Sequence, residues 1–218
     1  MSAEVLIVGA VAALLGLGIW TAWRLEKRRT EQCQAACTAM GFRWLGEANV
    51  ITQPAPPLFD QGHSRRAKNA MDGETAGHRV VLMDYTYVTG SGKSRTEHKQ
   101  TVVLFPASAR GLPDFTLAPE SFFHRIGQVF GYQDIDFAED AAFSGAYLLR
   151  GEGEPAIRAA FHATVRSLLA GNPGWTVQTK QGAAVLCRAG KRCKPPELPA
   201  FLAEALRVLA SLSPRAPS

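Results

Sequence analysis

The chain has 218 residues, 46% of them hydrophobic and 20% charged, with a formal net charge of +5. That length suits one folded domain with an appendage, and the composition lies away from disordered and collagen-like sequences. The charge alternates along the chain, +3 over residues 24–43, −6 over 112–154 and +7 over 155–218; without one basic stripe interleaved with aromatics, no nucleic-acid partner is expected.

Residues 5–23 read VLIVGAVAALLGLGIWTAW, nineteen positions without a charge. As a helix rising about 1.5 Å per residue, this segment matches a hydrocarbon core about 30 Å thick, and a single membrane span is predicted. A cleaved signal peptide needs basic residues before its apolar run and a small-residue cleavage site after it. Here Glu4 precedes the run, and Arg24, Lys27, Arg28 and Arg29 follow it. Flanking cations stay cytoplasmic, which predicts a single-pass protein of the inner (plasma) membrane with its N-terminus outside and its soluble domain inside. Ala12 and Gly16, at small-xxx-small spacing, offer a face for a protein partner or a homodimer through the membrane helix. The expected organisation is an anchor at 1–23, a juxtamembrane helix at 24–41 closed by Gly41, a soluble domain at 42–212 and a flexible tail at 213–218.

Within the domain, Phe42–Leu45 reads as a short strand, and ITQPAPPLF (51–59) as a proline-broken loop. His78–Thr89 and Gln100–Phe105, rich in β-branched and aromatic residues, read as strands joined by a hairpin connection. A short helix is expected over Pro119–Phe130 and a strand over Gly145–Gly151. One helix is expected from Glu154 to Gly171, with Ile157, Phe161, Val165, Leu168 and Leu169 on its apolar face. A second hairpin over Trp175–Arg188 and a final amphipathic helix over Leu198–Leu212 complete the pattern. Grouped strands and helices predict an α+β domain: a mainly antiparallel sheet covered by helices on one face.

The GSGKS string at 90–94 ends like a phosphate-binding loop. The glycine that should open such a loop is replaced by Tyr87 within a strand, and a strand follows where a helix is required, so a glycine-rich turn is expected. Cys33 and Cys37 share a helix face, while Cys187 and Cys193 flank a basic loop. Their spacings are not those of a zinc knuckle; free thiols are expected, with a disulfide or redox pair of Cys187 and Cys193, or a metal held by the thiols, as the alternatives. Asp134, Asp136, Glu139 and Asp140 lack the glycine and closing glutamate of a calcium loop and read as turn carboxylates. No histidine pairing or serine elbow names a catalytic residue, and no metal or cofactor is implied.

The segments RRAKNAMDGE (65–74), MDYTYVTGSGKS (83–94), QTVVLF (100–105), LPDFTLAPESFFHRIG (112–127) and YLLRGEGEPAIRAAF (147–161) resemble a family of bacterial single-pass membrane-anchored proteins that is itself uncharacterised. The resemblance implies a bacterial, membrane-tethered domain of unknown function and carries no site residue with it. The leading expectation is therefore a non-enzymatic, membrane-tethered interaction or sensing domain. Two alternatives stand beside it. One is an enzyme whose site gathers Arg65, Lys68, Asn69, Asp84 and Tyr85 near the first hairpin. The other is an anionic-lipid-binding module using Arg24, Lys27, Arg28, Arg29, Lys191, Arg192 and Lys194.

Overall fold

A computed structural model describes residues 3–47, 49, 55–120 and 134–212. It contains one eight-stranded antiparallel sheet with helices on one face, the α+β arrangement expected. In chain order the elements are helix α1 (Ala3–Ala39), strands β1 (Arg43–Gly46), β2 (His63–Thr75), β3 (His78–Thr89), β4 (Thr96–Phe105) and β5 (Phe115–Pro119), then the one-turn helix α2 (Ala141–Ser144) and β6 (Tyr147–Gly151). Helices α3 (Glu154–Ala160) and α4 (Ala163–Gly171), the β7–β8 hairpin (Trp175–Lys180, Ala183–Arg188) and helix α5 (Leu198–Leu212) follow. The spatial order is β1-β2-β3-β4-β8-β7-β5-β6, so a four-strand meander is joined to the C-terminal hairpin through β4 and β8.

Strand alternation splits the core in two. Val80 and Leu82 of β3 lie in the larger apolar cluster with Val103, Trp175, Leu186, Phe201 and Leu209, beneath α1, α4 and α5. Val81, Met83, Tyr85 and Tyr87 point the other way, into a smaller cluster closed by Leu58 and Phe59 of the proline-rich segment. Residues 55–60 of that segment are thus a lid over the second sheet face, held where the Leu58 amide donates to Gln178 Oε1 at 2.6 Å, while residues 51–54 of the expected loop lie outside the described residues.

Three expectations need amending. Helix 154–171 is two helices, because the chain leaves helical geometry at Phe161 (φ −93°, ψ 50°) and His162 (φ −63°, ψ 165°). The break drives Phe161 edge-on to Phe115 at 4.9 Å, and Arg166 Nη1 donates to the freed Phe161 carbonyl at 2.9 Å. β2 and β5 are strands that the sequence pattern did not reveal. Pro119 ends β5, and the helix expected over Pro119–Phe130 falls, beyond Glu120, outside the described residues, as does the 213–218 tail. The hairpin at Gln181–Gly182 is as expected, a two-residue turn with both φ values positive (45° and 85°), whose twist matches that of the paired strands.

Helix α1 is one unbroken element of 37 residues. It is the one helix among the described residues long and apolar enough to cross a membrane. Its N-terminal half is exposed, with Leu14 at 69% and Ile19 at 73% of full accessibility, whereas Cys33 and Cys37 near its other end are 1% and 2% exposed in the larger core. The helical segment from Arg24 to Ala39 is therefore not a spacer beside the domain. It is part of the domain's core.

Candidate functional site

Where α1 meets the sheet, a polar cluster is built from elements far apart in sequence. Arg29, on the same helical stripe as Glu26, Cys33 and Cys37, donates from Nε and Nη2 to the two Asp84 oxygens, both at 2.7 Å. Asp84 follows Val80 and Leu82 on the α1-facing side of β3, and its side chain is only 7% exposed. Asn69 Nδ2 adds a third donor at 2.8 Å and Thr101 Oγ1 a fourth at 3.1 Å. Asn69 reaches Asp84 because the β2–β3 register slips between Lys68 and Met71, and Asn69 sits there at φ 50°, a left-handed conformation that asparagine tolerates better than most residues.

The donor count decides what this carboxylate can do. An ionised carboxylate offers about four acceptor positions, and each Asp84 oxygen already accepts two hydrogen bonds. None remains to take a proton from a substrate. Taking an ion pair out of water costs several kcal/mol per ion, and only such complete pairing repays it. Burial alone would lower the Arg29 pKa, but the Asp84 hydrogen bonds and charge outweigh it and raise the value. Asp84 and Arg29 form a clasp.

The basic loop after β8 closes on the same clasp. Arg29 Nη2 also donates to the Cys193 carbonyl at 2.9 Å, and the Cys193 amide donates to Thr101 Oγ1 at 2.9 Å. Arg192 grips both Glu26 oxygens at 2.8 and 3.0 Å, and this hydrogen bond holds the Glu26 carboxyl below the usual glutamate range. Gly190 donates to Gln100 Oε1 at 3.0 Å. Helix, sheet and loop are thus locked at one end of the sheet.

The residues singled out from sequence do not converge. Asn69 and Asp84 meet, but Tyr85 lies on the opposite sheet face, edge-on to Phe59 at 5.1 Å. Burial drives its phenol up to about 12. Arg65 is spent on the carbonyls of Phe59, Asp60 and Gly62, and Lys68 is exposed near Glu47 at 3.7 Å. A cleft of about 190 Å³ at the far end of the sheet is lined by Thr116, Arg150, Glu152 and Lys180 among others, and none of those five residues borders it. Of the cations expected to face lipid, Arg29 is turned into the domain and Arg192 lies partly buried against Glu26, whereas Arg24, Lys27, Arg28, Lys191 and Lys194 are exposed. Arg24 lies over the Trp20 ring at 5.0 Å and Lys27 over Trp23 at 5.6 Å.

All four cysteines are free. Cys187 faces the smaller core, and Cys193 packs against the larger one on the other side of the sheet, so a disulfide between them would have to cross the sheet. Among the described residues no three of His, Cys, Asp and Glu are grouped to hold a metal ion. In the acidic cluster, Asp134 accepts from the Leu149 amide, and Asp140 caps α2 and pairs with Arg166 at 3.0 Å. Burial pushes the Cys33 and Cys193 thiols up to about 11 and Cys187 to about 12. A thiol of pKa about 11 is about one part in 1,000 thiolate at pH 8, so alkylation in the folded protein is expected to run at least about 100-fold slower than for an ordinary cysteine. Thiol titration with and without denaturant checks this; a fast-reacting native thiol would contradict the packing.

No family model matches the chain, and no curated protein matches it. Among solved structures, the chain is similar in fold to the mycobacterial trehalose monomycolate transport factor A, TtfA, with a TM-score of 0.61 at 12% identity, over 87% of this chain and 98% of that one.

Proposed function

We propose that this chain is a membrane-tethered, non-catalytic interaction domain, whose anchor helix presents the domain to a membrane-resident partner at a fixed height and orientation. The observation that carries the reading is the continuity of α1. The helix passes from an exposed apolar half into the core without a linker and is clasped on the way by Asp84 and Arg192. A flexible tether would suffice to keep an enzyme near a membrane. A helix built into the core transmits orientation, which matters when another protein must be met at a set distance from the bilayer. The saturated Asp84 supports a structural role for this pair, the most buried among the described residues. The fold likeness to a protein described as a transport factor supports an accessory role beside another membrane component, with no cargo implied. The cations after Trp23 favour a cytoplasmic domain.

The test is crosslinking in native membranes of the wild type and of a chain with four Gly/Ser residues inserted after Arg24. A discrete crosslinked species that is lost on insertion, at equal protein level and equal membrane retention, is the expected result. A species that survives the insertion would overturn fixed presentation, and a reporter fused after Leu212 that works only outside the cytoplasm would overturn the orientation.

A further inference from the structure

The GSGKS string has no part in the clasp, yet its position relative to α1 gives it a role. β1 runs antiparallel to β2, starting opposite Asp72 and ending opposite Ala70. Helix α1 delivers the chain to the start of β1, so it travels down the sheet from the level of Asp84, where Arg29 is held, toward that of Val80 and Val81. Its apolar half consequently leaves the sheet at the end where the β3–β4 hairpin projects.

Two lengths can be compared from the clasp. From Arg29 back to Trp23 is six residues of helix, about 9 Å, and to Trp20 about 14 Å. From Asp84 to Thr89, the last residue of β3, is five residues of strand, about 17 Å. Measured along each element, the hairpin extends at least as far from the clasp as Trp20 and Trp23 do, the rings that mark the headgroup zone if the helix spans a bilayer.

The tip is built and charged. Ser91 and Ser94 cap each other around a single 3-10 turn, Gly90 (φ 70°) has no room for a Cβ against the Ser94 carbonyl, and His63 Nε2 lies 3.1 Å from the Gly90 oxygen. Lys93 and Arg95 are exposed there, and residues 90–96 contain no acid. The nearest carboxylate in sequence, Glu97, is held by Lys99 at 2.8 Å.

We propose that the β3–β4 hairpin tip is a second membrane contact, in which Lys93 and Arg95 bind the phosphates of anionic lipids in the leaflet on the domain's side. It rests on the reading of α1 as a membrane anchor. With Arg24, Lys27 and Arg28 around the helix and Lys191 on the adjoining loop, the tip completes a cationic end of the domain facing the bilayer. The helix fixes the domain relative to its own axis, but a single helix can still tilt in the bilayer. A second contact on a rigid hairpin removes that freedom.

The full-length chain in lipid nanodiscs provides the test, with Thr96→Cys carrying an NBD fluorophore on a Cys193→Ser background, and Cys193→Ser alone, whose remaining thiols are buried, as the labelling control. In discs with 30% phosphatidylglycerol the label is expected to resist aqueous dithionite at least about fivefold longer than in phosphatidylcholine discs. K93Q/R95Q should abolish that protection. Equal, fast quenching in both lipids while the protein stays in the disc would overturn the hairpin contact and leave the anchor intact. Protection that is unchanged in K93Q/R95Q would also overturn it. Release of the protein from discs by carbonate would overturn the anchor, and the hairpin contact with it.

Discussion

Arg29→Ala is expected to lower domain stability by about 3–5 kcal/mol, the cost of leaving a buried carboxylate without its counter-ion. A domain of this size has about 5–15 kcal/mol in total, so the loss is a large fraction of the whole. Asp84 would retain Asn69 and Thr101 as donors but lose both bonds from the guanidinium, and the Cys193 carbonyl would lose its donor as well. Asp84→Ala should cost a similar amount by stranding Arg29. The double variant should be less damaging than the sum by about 1–3 kcal/mol, because once one partner is gone the other has little left to lose. Denaturant unfolding of the four chains in detergent, followed by tryptophan fluorescence, gives the coupling. Strict additivity would mean that the two side chains do not act as a pair.

Trp175→Ala is expected to cost about 3–5 kcal/mol by a different route, the loss of packing. The ring is fully buried at the start of β7, stacked on Phe201 of α5 at 5.2 Å and covered on its other side by the Arg188 guanidinium at 4.9 Å. Its indole N–H finds no acceptor among the described residues, so truncation removes apolar contact and forfeits no hydrogen bond. Trp175→Phe should therefore recover most of the loss, since the stack on Phe201 survives. The same unfolding measurement checks both variants, and a cost below about 1 kcal/mol for the alanine would show that α5 does not depend on this ring.

How far the fold could be read in advance follows from how each element is stabilised. β3, β4, β7 and β8 lie near the middle of the sheet and carry β-branched or continuous apolar residues, so their pattern announces them. β2 is hidden because its residues are mostly polar: its first half is exposed, and the bulge at Asn69 breaks the alternation on which recognition depends. β5 is only five residues long and ends in a proline, too little signal to separate from a loop. The kink at Phe161 owes itself to the space between Phe115 and Phe143, a tertiary demand with no local signature.

The site was legible in part for the same reason. Asp84 and Asn69 stood out as polar residues among strands, and they do meet. Their partner Arg29 looked like one more cation of the membrane flank, since nothing local separates it from Arg28, which is exposed. A hint lay in the helical spacing, because Arg29 falls on the stripe of Cys33 and Cys37 and Arg28 does not. Tyr85 could have been set apart from Asp84 by strand periodicity alone, since neighbours on a strand face opposite sides.

The clasp between Arg29 and the Cys193 carbonyl, 164 residues apart in sequence, also bears on how the molecule is made. If the anchor enters the bilayer during synthesis, the β1–β4 meander emerges next and leaves β4 as an open edge until β8 is available to pair with it. Throughout that interval an unfinished sheet with free backbone donors and acceptors is held beside the membrane, at risk of pairing with neighbouring chains. Biogenesis is then the vulnerable stage of this protein's life, and variants in β8 or in the loop after it should reduce its yield in cells well before they change the properties of molecules that have finished folding.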